Sequence, residues 1–312
     1  MIVVNLFGIL TRGLCGFLQV LARREALYIN MRHPEWIKIK STGTHETKKV
    51  LRSYGVSTVC EEAMCPNQGE CFSNNSAAFM ILGDRCTRNC AFCAVESSTP
   101  LPVDFYEPER VADAAFSLGL KFVVITSVTR DDLKDGGAGQ FAKTIRALRE
   151  RDHEMKIEIL TPDFKGDPEA LRTVLNAQPD VFNHNVETVS GLYPIVRPGA
   201  DYMLSLNILK SARRLYPDIK IKSGFMLGLG EKESEVLSVM RDLLDSGCDF
   251  LTIGQYLQPR RKNLPVYEYI IPEIFEEYRD KGLKMGFKAV ASSPLARSSM
   301  NAEDMYYKKF NL

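Results

Sequence analysis

Six of the eight cysteines in this 312-residue chain fall in one window as two triples, Cys60-x4-Cys65-x5-Cys71 and Cys86-x3-Cys90-x2-Cys93. Three thiolates spaced along one loop can hold three irons of a 4Fe–4S cluster. The fourth iron is then left without a cysteine, free to take a substrate or cofactor. A structural zinc site wants four ligands in a closed tetrahedron, and each triple is one short. A disulfide framework belongs to small secreted domains that lack a core. This chain is 45% apolar and can build one. The clustered cysteines therefore read as metal ligands in a reducing compartment.

The elements that must position these thiols begin near residue 77. Short apolar runs at Ala77–Leu82, Phe122–Val128, Lys156–Leu160, Val181–Glu187, Ile219–Leu227 and Phe250–Leu257 read as buried strands. Amphipathic stretches at Pro108–Leu118, Gln140–Arg149, Pro168–Asn176, Tyr202–Leu215, Glu231–Ser246 and Pro272–Lys281 read as the helices between and after them. Repeated strand–helix units imply parallel strands with right-handed crossovers. The expected fold is α/β, a partial (β/α)6 TIM-type barrel over residues 77–286. An N-terminal extension at 31–76 carries the first triple, and a C-terminal segment at 287–312 lies beyond the repeated units.

Barrel chemistry sits at the C-terminal ends of the strands. That selects Ser127–Asp132, Thr161–Asp163, Asn183–Thr188, Gly224–Gly230 and Gln255–Gln258. Arg130, Asn185 and Glu187 within them, and Lys222 just before Gly224, are expected to line a cofactor and substrate pocket. His184 reads equally as a ligand contact or as a satisfied structural histidine. Cys248 precedes an apolar strand and reads as core. The glycines of Gly136-Gly137-Ala138-Gly139 lack the spacing of a dinucleotide fingerprint.

Forty basic and thirty-nine acidic side chains leave a net charge of +1, which gives no basis for nucleic-acid binding. Ile2–Leu10 and Leu14–Ala22 are both shorter than the roughly 20 residues that span a bilayer, so no membrane partner is expected. Residues 1–30 have no acid before Glu25 and read as an over-long start, a targeting peptide or a membrane-associating extension. The expected compartment is the cytoplasm, or the mitochondrion if 1–30 is a transit peptide.

The second triple, with Phe92 before its last cysteine, resembles the signature of the radical-SAM superfamily. The first triple, within Val59-Cys-Glu-Glu-Ala-Met-Cys-Pro-Asn-Gln-Gly-Glu-Cys71, resembles the auxiliary-cluster motif of the lipoyl synthase family. Thr126–Ala138, Asn183–Thr188, Val196–Ala200 and Lys222–Glu231 are similar to further segments of that family, and the likeness covers roughly residues 34–305. Arg297-Ser298-Ser299 resembles its Arg-Ser-Ser-Tyr motif, with Met300 in place of the tyrosine.

The resemblance implies two 4Fe–4S clusters and S-adenosyl-L-methionine (SAM). The open iron of the Cys86, Cys90 and Cys93 cluster would chelate SAM, and one electron would split its sulfonium to a 5′-deoxyadenosyl radical. Phe92 would pack near the adenine. Ser299 would complete the auxiliary cluster of Cys60, Cys65 and Cys71, which would be dismantled as two sulfurs pass to C6 and C8 of an octanoyl group on a lysine. The implied partners are octanoylated lipoyl-domain proteins (2-oxoacid dehydrogenase E2 subunits and the glycine cleavage H protein) and an electron donor such as ferredoxin or flavodoxin. Two rivals stand beside this sulfurtransferase: another sulfur-inserting enzyme of the superfamily acting on a small molecule, and a two-cluster electron carrier.

Overall fold

The structure is a computed structural model that describes residues 33–40 and 44–307. The chain divides into two compact units, Met1–Lys38 and Ile39–Leu312. Of the first, only residues 33–38 are described, and they make a turn closed by the Ile37 N–H on the Pro34 carbonyl at 3.0 Å. The alternatives raised for residues 1–30 lie outside the described residues. No helix among the described residues is long and apolar enough to cross a membrane.

In the second unit eight strands form one sheet. They are β1 (Ser57–Thr58), β2 (Ala78–Ile81), β5 (Phe122–Ser127), β6 (Lys156–Leu160), β7 (Val181–Asn183), β8 (Lys220–Leu227), β9 (Phe250–Gln255) and β10 (Ala289–Ser293). Two further strands, β3 (Arg85–Cys86) and β4 (Glu96–Ser97), pair with each other at the start and end of the second cysteine loop. From β2 to β10 every neighbouring pair in the sheet is parallel. Helices on the outer face bury one side of these strands and the barrel interior the other, so β2 and β9 read as unbroken apolar or small runs.

The six expected helices form at Glu107–Ser117, Ala138–Arg151, Pro168–Asn176, Tyr202–Leu215, Glu233–Asp245 and Pro272–Met285. Local chemistry sets their ends. Asp167 and Asp201 accept N–H groups of the first turns they precede. Gly119, just past the first of these helices, takes the left-handed φ of +67° that ends it.

The sheet exceeds the expected six strands at both edges. β1 pairs antiparallel with β2, Ser57 opposite Met80. β10 runs parallel to β9, Ala289 opposite Phe250, so the segment from residue 287, expected beyond the barrel, begins inside its sheet. Its serines and small residues give β10 little strand signal, and only its first two residues are buried.

Candidate active site with two thiol triples

The Cys86–Cys93 loop leaves β2 at the C-terminal end of the sheet. Thr87 fixes its start: the Thr87 N–H and hydroxyl both donate to the Thr129 carbonyl, and the Thr87 hydroxyl oxygen accepts the Asp131 N–H. Arg88, inside the spacer between Cys86 and Cys90, is the main staple. It donates to Asp131 at 2.8 and 3.1 Å, beyond β5, and to Asp163 at 2.6 and 2.7 Å, beyond β6. On the far side, the Ala91 N–H bonds the Val196 carbonyl, and Asn263 donates to the carbonyls of Ala91 and Cys93 at 3.1 and 2.8 Å. Phe92 is half-buried between these two anchored residues.

Backbone N–H groups already point at the sulfurs. Those of Arg88 and Thr129 lie 3.4 and 3.3 Å from Cys86 Sγ, Val95 donates to Cys93, and Ala78 donates to Cys60. Such donors stabilise thiolate sulfur and tune a cluster. Burial pushes the Cys60 and Cys93 thiols up to about 12 and Cys71 up to about 11, and raises Cys90 too. Within each triple the thiols sense one another's charge. Yet among the described residues no three His, Cys, Asp or Glu side chains converge closely enough for a single ion. Each triple offers three thiols, one short of a closed zinc tetrahedron and enough for three irons of a cubane. The donor sets fit the clusters that the spacing implies, and binding them must expel the thiol protons.

The first triple is carried by short elements over the edge of the sheet. Thr58 of β1 caps the turn Val59–Glu62, its hydroxyl oxygen accepting the Glu61 N–H at 3.3 Å, and this seats Cys60. The Cys65 N–H closes on the Cys60 carbonyl at 3.1 Å. Cys71 lies in the helix Gln68–Ser73. Between Cys65 and Cys71, Asn67 donates to the carbonyl of Leu295 at 2.6 Å and to Met300 Sδ at 2.9 Å. The C-terminal segment that holds Ser299 is thereby tied to the loop of the first triple.

Beyond β7 the chain carries the two expected pocket residues Asn185 and Glu187. Asn185 Oδ1 accepts the Ser298 hydroxyl at 2.9 Å. Glu187 holds a left-handed φ of +67°, unusual for a residue with a side chain, yet its backbone bonds Gly224 and Met226 of β8. Burial raises its pKa; Arg197, Asn185 and Arg297 oppose the rise. Its charge is felt at Cys90 and Cys93, so it stands beside the second triple. The charge of Arg297 is felt at a distance by both Glu187 and Cys65, while its guanidinium donates to the Pro294 and Ala296 carbonyls. Burial works against its charge, but a guanidinium with so high an intrinsic pKa stays protonated.

Arg130 lies just beyond β5, but Lys222, expected at a strand end, lies inside β8, opposite Phe250 at the start of β9. Arg130 makes a forked bond to Asp132 and reaches the Leu82 carbonyl. Lys222 gives its three N–H groups to both oxygens of Glu158 and to the Ser298 carbonyl. His184 is neutral and buried: its Nδ1 donates to the Thr161 carbonyl at 2.8 Å, and burial lowers its pKa to about 4.

Several residues that build the site carry no mark in the cysteine spacing. Arg88 hides in a spacer, Asn67 in another, and Arg197 in a segment quoted only for its likeness to the family. Glu158 had a readable signal, since an acid in an otherwise apolar strand must find a buried partner.

A model of the radical SAM superfamily matches residues 80–243. Over 277 residues the chain is 54% identical to lipoyl synthase of Caldanaerobacter subterraneus, covering 88% of this chain and 97% of that one. The chain belongs to the lipoyl synthase family. Lipoyl synthase of Alkaliphilus metalliredigens is 52% identical over 280 residues, again covering 97% of the relative. That of Burkholderia pseudomallei is 51% identical over 278 residues, or 88% of this chain and 84% of the relative. Among solved structures, Streptococcus suis SuiB bound to precursor peptide SuiA superposes with a TM-score of 0.55 at 13% identity, over 91% of this chain and 62% of SuiB. At that identity the likeness shows the barrel alone. As a lipoyl synthase the chain is a radical SAM sulfurtransferase that uses SAM and two iron–sulfur clusters.

Proposed function

We propose that this lipoyl synthase inserts two sulfurs at C6 and C8 of an octanoyl group held on a lysine of a lipoyl-domain protein. In this reading Cys86, Cys90 and Cys93 hold the SAM-binding cluster. Cys60, Cys65, Cys71 and Ser299 hold the auxiliary cluster that donates sulfur. The observation that supports it most is Asn67, which lies between Cys65 and Cys71 and ties the segment of Ser299 to the loop of the first triple.

When bound, the clusters and SAM supply the electron, the radical and the sulfide that unactivated C–H bonds require, since no side chain deprotonates such bonds near neutral pH. The chain's own residues hold geometry. Arg88 and its two aspartates keep the Cys86–Cys93 loop over the barrel end. Phe92, Asn185 and Glu187 would contact SAM and substrate, with Arg130 held by Asp132 and Lys222 held by Glu158 behind them. Carriers are 2-oxoacid dehydrogenase E2 subunits and the glycine cleavage H protein, the reductant is a ferredoxin or flavodoxin, and the compartment is the cytoplasm.

The test is anaerobic incubation of reconstituted protein with SAM, reductant and an octanoyl-lysyl peptide, read by mass spectrometry. Peptide carrying two added sulfurs is expected. Release of 5′-deoxyadenosine with an unaltered peptide overturns the substrate, and preference for free octanoate favours a small-molecule enzyme.

A further inference from the structure

We propose that the buried Lys222–Glu158 ion pair seats the C-terminal segment 296–299 in the barrel mouth and so positions Ser299, a role that rests on Ser299 being the auxiliary-cluster ligand. Both side chains are 1% exposed. The ammonium has three N–H groups. Two meet Glu158 at 3.0 and 3.1 Å, and the third meets the backbone carbonyl of Ser298 at 2.5 Å, 76 residues downstream. Glu158 is completed by Asn183 at 2.8 Å. Buried ion pairs are seldom more stabilising than the apolar residues that could replace them. What this pair adds is a fixed donor aimed at one carbonyl of the tail.

The strands beside the pair are cut away for the same segment. A Cβ on Gly254 would stand 2.2 Å from the Ala296 carbonyl oxygen, and one on Gly224 would stand 3.1 Å from Ser298 Oγ. From the other flank, Asn67 grips the Leu295 carbonyl and Met300 Sδ. Ser299 therefore sits between Ser298, held by the barrel, and Met300, held by the first cysteine loop. Lys222 is a positioning residue that acts through the backbone of its neighbour.

The test uses Lys222→Met/Glu158→Gln, which removes both charges and so avoids an unpaired buried carboxylate. Reconstituted protein is examined by hydrogen exchange at the Ala296 and Met300 amides, which bond Ser293 and Arg297, and by Mössbauer spectroscopy of the auxiliary cluster. Exchange on the order of tenfold faster is expected, with the auxiliary-cluster spectrum altered in the same sense as in Ser299→Ala. Amides that stay protected overturn the seating whatever Ser299 does. A loosened tail with an unaltered spectrum, where Ser299→Ala alters it, overturns the positioning role. If Ser299→Ala itself leaves the spectrum unchanged, the ligand reading fails, and the exchange rates still decide the seating. Should the double variant not fold, Lys222→Arg keeps a positive charge beside Glu158 but alters the donor geometry at the Ser298 carbonyl; an unchanged tail and spectrum there overturn the proposal.

Discussion

Asn67 donates its side-chain N–H to the carbonyl oxygen of Leu295 at 2.6 Å across 228 residues of sequence. Asn67 is 3% exposed, and Leu295 is part-buried. Asn67→Ala removes this bond, at a cost of about 1 kcal/mol. It also frees the tail from the first cysteine loop. The expected result is a lower urea midpoint for the cluster-free protein and fewer than eight irons per chain after reconstitution. Wild-type stability with a full iron content would remove Asn67 from the site.

Asp163 gives the site a measurable pH signature. Burial opposes its charge, but bonds from Arg88 outweigh burial and hold the carboxyl at about 2, against an ordinary 3.8. A depressed folded-state pKa contributes stability that is complete above the unfolded value and lost as pH falls toward the folded one. The contribution is on the order of 2 kcal/mol, full above about pH 5 and fading from pH 4 toward 2. Urea unfolding of cluster-free wild type and Asp163→Asn should differ most at pH 7 and converge only as the pH nears 2. A difference that is constant with pH would mean the Arg88 pair does not titrate through this carboxylate.

The barrel was legible because its signals are local. β5 is a run of apolar and β-branched residues, β6 and β8 are apolar around the charges of Lys156, Glu158, Lys220 and Lys222, and helices such as Pro168–Asn176 carry both caps and period. β10 was not legible, because Ala289–Ser293 becomes a strand only by pairing with β9. The same division holds at the site. Cysteines bear their chemistry in residue type and spacing. Arg88, Asn67, Asn263 and Glu158 acquire theirs from partners 25 to 228 residues away. Lys222 lies inside β8 and not at the expected strand end, and only the three-dimensional structure reveals that Glu158 and Ser298 engage its three N–H groups.

The two triples should fail in different ways. Cys86→Ala, Cys90→Ala or Cys93→Ala removes a ligand of the cluster that meets SAM, so 5′-deoxyadenosine formation should drop at least about a hundredfold, as expected when a group acting only in the chemical step is lost. Cys60→Ala, Cys65→Ala or Cys71→Ala should keep 5′-deoxyadenosine formation and abolish sulfur in the product. The assay measures both products from one reaction. Lipoyl product from Cys65→Ala protein would end the claim that the first triple stores the sulfur.

Ser299 should tolerate replacement by cysteine in cluster assembly and not in turnover. In the proposed reading Cys60, Cys65 and Cys71 account for three irons and Ser299, on the tail tied to their loop through Asn67, is the fourth donor. A serine oxygen is a harder ligand than thiolate and less well matched to an iron–sulfur site. Arg297, two residues earlier and felt at a distance by Cys65, favours the alkoxide by its fixed charge. A weakly matched ligand suits an iron that must leave when the cluster is consumed. Ser299→Cys closes the site with four thiolates, so the auxiliary cluster should assemble fully, resist loss of iron during turnover and yield at least about tenfold less sulfur-containing product, a difference of about 1.4 kcal/mol in barrier. Ser299→Ala should lower both auxiliary iron and product. Iron retention and product mass, followed together through a single turnover, separate these outcomes. A Ser299→Cys protein that inserts sulfur at the wild-type rate would show that ligand hardness has no part in releasing the cluster.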